Sequence, residues 1–511
     1  MSTSPLRFVQ RHWLLLLLVA MAFVVRLYRI DNQPLDWHAW RQADTASVTR
    51  EYIKHGIDLL HPQYHDVSNI PSGRDNLSGY RMVEFPILNA FVAFLVRDFG
   101  LPFMQTSRMT SIVLSLGTMV SLFYLVRSLS GKKMAYLTAF LFAFIPYSIF
   151  YSRVILPEPG MVFFSTFALV AFHFWLKDKN WAWYLLSFAS YMVALLLKPS
   201  VVFVLPVYLG LIAFHELPVK KWTTKFVLGK ILFYGVTLVP AFLIAVAPLL
   251  AWRKWIEQYP AGIPAFTWLL NSNHIRFRPA WFRWLFWERL TKLISGYFAV
   301  ALLPLNILKI DKDLFVYGSW GVGIFAYLAV LATGNVQHDY YQVLTMPIVC
   351  IFMARGGVLL HDWLTQRFNK NVGVVVVGAL VLGSLVMGWE FIKGYFNTNH
   401  TEYIVAGEAV DRLTPADALV IAPAMGDTQF LFQTNRRGWP IGYDIADKVA
   451  KGATFYITTS YDDEAKQVEA EYQVVEKNKD FILIDLTKRN PNATPSAAAK
   501  ATPAATSTLK K

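Results

Sequence analysis

The sequence predicts an all-α polytopic membrane protein of about eleven transmembrane helices. Interfacial helices cover its outer face, and a small C-terminal α/β domain lies outside the cytoplasm. Three observations predict it. Of 511 residues, 55% are hydrophobic and 16% charged, against roughly 25% charged in soluble domains. Apolar segments recur as far as Trp389, and beyond it the composition becomes that of a soluble chain. Lys and Arg outnumber Asp and Glu by 48 to 34, a net charge of +14, and the surplus lies between the apolar segments. There it sets orientation and meets anionic lipid, so it does not point to nucleic acid. This balance excludes a disordered chain and a purely soluble enzyme. The single cysteine, Cys350, stands in an apolar stretch. It can form no intramolecular disulfide and reads as a small core residue.

Twelve apolar segments lie near 13–30, 86–99, 108–126, 134–151, 159–176, 181–197, 200–214, 227–251, 291–308, 313–333, 342–360 and 372–389. The first is preceded by Arg7 and Arg11 and followed by Arg26, with no small-residue cleavage site. It reads as an uncleaved span. Segment 86–99 is short and runs into Arg97, Asp98, Gly100 and Pro102, which suits an interfacial helix. With 86–99 on the outer surface, fifteen Lys/Arg fall in the cytoplasmic regions; if it crossed, thirteen of them would face outward. The positive-inside rule selects the first arrangement, N-terminus in and C-terminus out. Residues 1–390 then form the transmembrane domain, with a first outer loop over 31–85.

The outer loop 253–290 alternates Trp281, Trp284 and Trp287 with Arg276, Arg278, Arg283 and Arg289. This is the pattern of an amphipathic helix lying at the interface, whose arginines can meet a lipid phosphate. Residues 400–489 form the small domain. Helices are expected over 402–412 and 463–472, and strands over 418–422, 454–459 and 481–486. From 490 to 511 the Ala/Thr/Pro/Ser-rich chain, with its Asn492 sequon, reads as a disordered tail.

Every chemically suggestive cluster falls on the outer side. The first loop holds Asp36-Trp-His-Ala-Trp40-Arg41-Gln-Ala-Asp44-Thr45 and ends Tyr80-Arg81-Met-Val-Glu84-Phe-Pro86. A carboxylate there can act as general base toward a hydroxyl. Arg153 and Glu158 frame the second loop, and an acid at the membrane edge calls for a cationic partner. Lys198-Pro-Ser200 interrupts an apolar stretch, and His338-Asp339-Tyr340-Tyr341 opens another span. Together they suit group transfer from a lipid phosphate. A carboxylate would deprotonate the acceptor while fixed cations or a metal stabilise the departing phosphate. No glycine-rich phosphate loop suggests a nucleotide donor.

The arrangement over roughly 10–390 resembles the C-type glycosyltransferase superfamily. It is nearest to bacterial family 39-like enzymes, which are related to protein O-mannosyltransferases and the lipid A aminoarabinose transferase. The most specific segment is Trp37-His-Ala-Trp-Arg41-Gln-Ala-Asp44-Thr. The resemblance implies transfer of a monosaccharide from a polyprenyl-phosphate donor to an acceptor hydroxyl at the periplasmic face of the bacterial inner membrane, with inversion. It gives Asp44 and Glu158 the catalytic positions, and leaves Arg41, Arg153, Lys198, His338 and Tyr341 for the donor phosphate. Glu84 resembles a first-loop metal-binding Glu, so a divalent metal is a possible cofactor, with His274 or His338 as a further ligand. Thr45 stands where relatives often have Glu, and Phe85 where they have Lys. Lipid A, another glycolipid, a polysaccharide or a protein remains open as acceptor. A lipid-linked glycan flippase would need charged residues along a path through the spans. A polysaccharide polymerase would need an oligosaccharide donor.

Overall fold

The computed structural model describes residues 5–216 and 224–491. The tail beyond 491, its sequon and part of the basic loop 215–226 lie outside the described residues. The chain divides into two compact units.

The first unit comprises Met1–Gln63, Pro71–Arg74 and Tyr80–Asn399. Among the described residues, seven helices are long and apolar enough to cross a membrane: Phe103–Ser130, Glu158–Asp178, Pro199–Glu216, Leu228–Ile256, Asp313–Val330, Asp339–Arg367 and Lys370–Phe396. Two shorter apolar helices, His12–Arg26 and Trp181–Leu197, accompany them. This is a multi-pass membrane protein. The helix Ile87–Phe99 has 13 residues, below span length.

Two of the expected spans are broken, each for a local reason. Segment 134–151 divides into Lys132–Phe144 and Pro146–Tyr151. Ile145, the residue before Pro146, takes φ −57° and ψ 122°, as a residue before proline does. Segment 291–308 is part of a bent pair, Pro279–Ile294 and Ala299–Leu308, at 110° to each other. At the bend Gly296 has φ +50°, and a Cβ built on it would lie 2.2 Å from the Ser384 carbonyl oxygen. Only glycine can pass there.

The Trp281/Trp284/Trp287 stretch is also not a regular α-helix. Arg283–Ile294 is a π-helix, and Trp281 precedes it in the short helix Pro279–Phe282. Trp281 is buried against Leu285 and Ala332, while Trp284 and Trp287 are exposed.

Helices Glu158–Asp178 and Trp181–Leu197 form a tight hairpin. Lys179 closes the first in the left-handed region, and the Asn180 side chain caps the second by accepting from the Ala182 amide at 2.9 Å. At 1.5 Å per residue the two arms span roughly 31 and 25 Å, so Glu158 and Lys198 fall at the same end. Charged side chains do occur within helices. Arg26, Arg108 and Arg355 are buried, but each is bonded to backbone carbonyls at packed positions.

The second unit joins Tyr64–Ile70 and Asp75–Gly79 to the residues from His400 onward. Part of the loop 31–85 therefore belongs to it. Its strands are β1 (Leu419–Ile421), β2 (Arg437–Trp439), β3 (Phe455–Thr458), β4 (Tyr472–Lys477) and β5 (Ile482–Arg489), in the order β2-β1-β3-β5-β4. β1 pairs parallel with β2 and β3, and β5 antiparallel with β3 and β4. Gly438 in β2 also exchanges backbone bonds with His65 and Val67, both 2.9 Å, which covers that sheet edge. The helices Glu402–Leu413 and Asp463–Glu471 and strands β1, β3 and β5 fall where their hydrophobic patterns place them. β2 and β4 carry no such run: Arg-Gly-Trp is too short, and Tyr-Gln-Val-Val-Glu-Lys is half polar.

Candidate active site

The site begins with an unusual helix. Ala39–His55 is polar overall, yet Arg41, Gln42, Asp44, Ser47, Thr49 and Glu51 on it are buried. Buried polar groups need partners. Arg41 and Asp44, one turn apart, find theirs on the segment 80–86. Arg41 pairs with Glu84, and Asp44 with Arg81 at 3.0 Å. That segment is held by its backbone: Arg81 N–H donates to Pro62 (2.8 Å), Met82 to Gly262 (2.8 Å) and Phe85 to Leu196 (3.0 Å). A third pair joins Lys198 to Glu158. Glu158 is the first residue of its helix, where a carboxylate is favoured by the backbone dipoles. Lys198 breaks the chain between two helices, with its ammonium 4.7 Å from the Tyr341 ring centre and 5.3 Å from that of Tyr340.

The three pairs act on one another. Burial works against the Arg41 charge, but Glu84, Tyr340, Glu158 and Asp44 outweigh it and hold the guanidinium above its ordinary pKa. Burial would raise the Glu84 carboxyl, but Arg41, Lys198 and Arg81 reverse this and keep it below the usual carboxylate range. Asp44, Glu84, Glu158, Arg41, Lys198 and Tyr341 are thus brought together, with Arg81 and Tyr340 added. A small cavity of ≈ 40 Å³ adjoins Glu84, lined by Thr45, Asn89 and Ser107 on its polar side and by Leu88, Val92 and Leu197 on its apolar side.

Arg153 stands elsewhere. It is fully buried, 3.3 Å from Asp36 and 2.7 Å from the Arg29 carbonyl, with its guanidinium 5.0 Å from the Phe396 ring centre. Arg108 reaches the same Asp36 at 3.2 Å, and the Gln42 amide donates to it at 2.6 Å. This knot ties the 31–42 segment to the 153–155 loop. Its signal in the sequence is a lone Arg108 in an apolar helix, which only the fold connects to Asp36.

Asp339 is a second hub. It accepts from Tyr151 (2.6 Å), Tyr395 (2.7 Å), Trp37 (3.1 Å) and His38, and Arg289 lies 3.8 Å away. His38 has φ 58° at the start of the helix Ala39–His55, a left-handed conformation uncommon outside glycine. His338 is half-buried among rings. Burial lowers its pKa to about 4, and the neighbouring His38 works in the same direction. It therefore presents a neutral imidazole at physiological pH.

Metal binding is not favoured by the donor set at Glu84, whose immediate neighbours are cations. Among the described residues no group of three or more His, Cys, Asp or Glu side chains is placed to hold an ion.

This helical frame recurs in solved structures. ArnT from Cupriavidus metallidurans bound to undecaprenyl phosphate matches with a TM-score of 0.63 at 13% identity, over 93% of this chain and 98% of that one. The fold is that of the C-type glycosyltransferases. The archaeal oligosaccharyltransferase AglB from Archaeoglobus fulgidus, in complex with an inhibitory peptide and a dolichol-phosphate, matches with a TM-score of 0.56 at 10% identity, over 95% and 75%. An Archaeoglobus fulgidus oligosaccharyltransferase complex with Zn and sulfate matches at 0.54 and 12%, over 86% and 68%. Residues 86–252 match the family described as dolichyl-phosphate-mannose-protein mannosyltransferase. That stretch holds Glu158 and Lys198 but neither Asp44 nor Glu84. No curated protein sequence matches the chain.

Proposed function

We propose that this protein is a glycosyltransferase that moves a monosaccharide from a polyprenyl-phosphate carrier to an acceptor hydroxyl at the extracytoplasmic face of a bacterial inner membrane, with inversion. The observation that carries the reading is the meeting of Arg41–Glu84, Asp44–Arg81 and Glu158–Lys198 in one cluster. In this reading Asp44 takes the proton from the acceptor hydroxyl. The freed oxygen attacks the sugar's anomeric carbon, the bond to the phosphate oxygen breaks, and the electron pair leaves with polyprenyl phosphate. Arg41 and Lys198 stabilise the charge on that phosphate. Glu158 positions Lys198, Glu84 positions Arg41, and Tyr341 walls the phosphate position. Leu88, Val92 and Leu197 beside Glu84 offer apolar surface toward the carrier chain. Arg153 serves to position the loop, and His338 leaves the phosphate set because it is neutral and ringed by aromatics. No step is routed through a metal.

The test is transfer of radiolabelled sugar from purified polyprenyl-phosphate donors to envelope material from a deletion strain. Asp44→Asn and Lys198→Ala are each expected to lose about 100-fold or more in rate. Undiminished transfer in both would remove the mechanism.

A further inference from the structure

Beside the charge cluster stands a wall of half-buried rings. His338 lies 5.7 Å from Trp40, 5.6 Å from Trp268 and 5.8 Å from His38, centre to centre, and stacks on Tyr340 at 5.4 Å and on Tyr341 at 6.2 Å. Its ring makes no hydrogen bond to any described residue. Three distant segments build the wall: the helix start at 40, the short helix Trp268–Asn271 and the turn before Asp339. Trp40, Trp268, His338 and Tyr341 are only partly buried, while Tyr340 behind them is buried.

The position has a scale. Lys198 is 4.7 Å from the Tyr341 ring centre, and the His338 ring centre lies 6.2 Å from that same centre. A sugar ring is ~5 Å across, so one joined to a phosphate at Lys198 would reach the Trp40–His338–Trp268 wall. Aromatic rings meet the C–H face of a sugar as they meet other apolar faces, and indole is large and rigid. A neutral imidazole can both donate and accept a hydroxyl hydrogen bond.

We propose that Trp40, Trp268 and His338 form the donor-sugar subsite, in which a hexose ring with an open apolar face stacks on the indoles while its phosphate lies at Arg41 and Lys198. The inference rests on the donor reading above and assigns what that reading leaves open, the part of the site that reads the sugar. Trp40 is then a specificity residue on the same helix as Arg41 and Asp44.

The experiment is binding, without transfer, by the detergent-purified full chain. The ligands are undecaprenyl phosphate alone and undecaprenyl phosphate carrying glucose, galactose or mannose. The parent is expected to bind at least one hexosyl form more tightly than the bare carrier. Trp40→Ala and Trp268→Ala should each weaken that form by about 5- to 10-fold and leave the bare carrier within twofold, with Trp40→Phe restoring most of the loss. Equal weakening of both ligands, no weakening of either, or no preference of the parent for any hexosyl form would each overturn the subsite. Failure of the parent to bind undecaprenyl phosphate in any form would instead overturn the donor reading itself.

Discussion

Asp36 carries two guanidiniums, those of Arg108 and Arg153, where none of the three side chains meets water. Breaking a buried pair from one side leaves the other charge uncompensated. Asp36→Asn is therefore expected to destabilise the protein by about 3–5 kcal/mol, read as a lower midpoint of thermal unfolding in detergent. A loss under ~1 kcal/mol would mean that the Asn32 and Arg29 carbonyls suffice to hold both arginines. His338 makes a pH prediction with a definite sign. Its pKa falls from 6.5 to about 4 on folding, so between those values the unfolded chain binds a proton that the folded one does not. The stabilising contribution is full above pH 6.5 and is lost as pH falls toward 4, by up to ~3 kcal/mol. Burial is the main cause; His38, Lys198 and Arg289 add to the shift and Asp339 opposes it. His338→Gln should flatten the slope of stability against pH over this interval. At this scale the sequence offered candidate acids and cations but not which of them met. Asp44 and Glu84 were legible as acids in one loop; that Arg81 claims the first and Arg41 the second depends on how 80–86 lies along the helix.

At the scale of elements, helix packing uses glycine where carbonyls approach. A Cβ on Gly323, in Asp313–Val330, would lie 2.1 Å from the Phe203 carbonyl oxygen, and one on Gly210 2.6 Å from that of Phe315. Small residues of this kind let membrane helices close up. Gly323→Ala is expected to cost about 1–3 kcal/mol. Gly229→Ala, where nothing lies within 4 Å, should be neutral or stabilising by up to ~1 kcal/mol. Melting temperatures of the two variants decide it, and equal values would sink the argument. Element identity was mostly legible, because hydrophobic runs are local. The bend at Gly296 and the π-helix Arg283–Ile294 were not. The bend answers to a neighbour, the Ser384 carbonyl, that is remote in sequence.

At the scale of the molecule, Tyr64–Ile70 and Asp75–Gly79 share one compact unit with the residues from His400. The first loop and the C-terminal part must then lie on the same side of the membrane. A crossing at 86–99 would make the number of later crossings odd and divide that unit. The positive-inside count predicts that the shared side is the exterior. In a Cys350→Ala background, Lys479→Cys should react with an impermeant thiol reagent in intact cells, and Lys132→Cys only after permeabilisation. Removing Cys350 takes away the chain's one native thiol, so background labelling should be low. The reverse pattern would place the site in the cytoplasm.

Hydropathy and charge order are properties of the chain itself, and they determined the multi-pass architecture and the small α/β addition. Those signals survive because burial in lipid acts on each segment separately. What only the tertiary structure decided is pairing: Arg41 with Glu84, Asp44 with Arg81, Lys198 with Glu158, and Arg153 withdrawn to Asp36. It also gathered Trp40, Trp268 and His338 into one wall. A side chain's charge is written in its type, but its partner is set by which distant segment is packed within ~3–4 Å of it, and no local pattern encodes that distance.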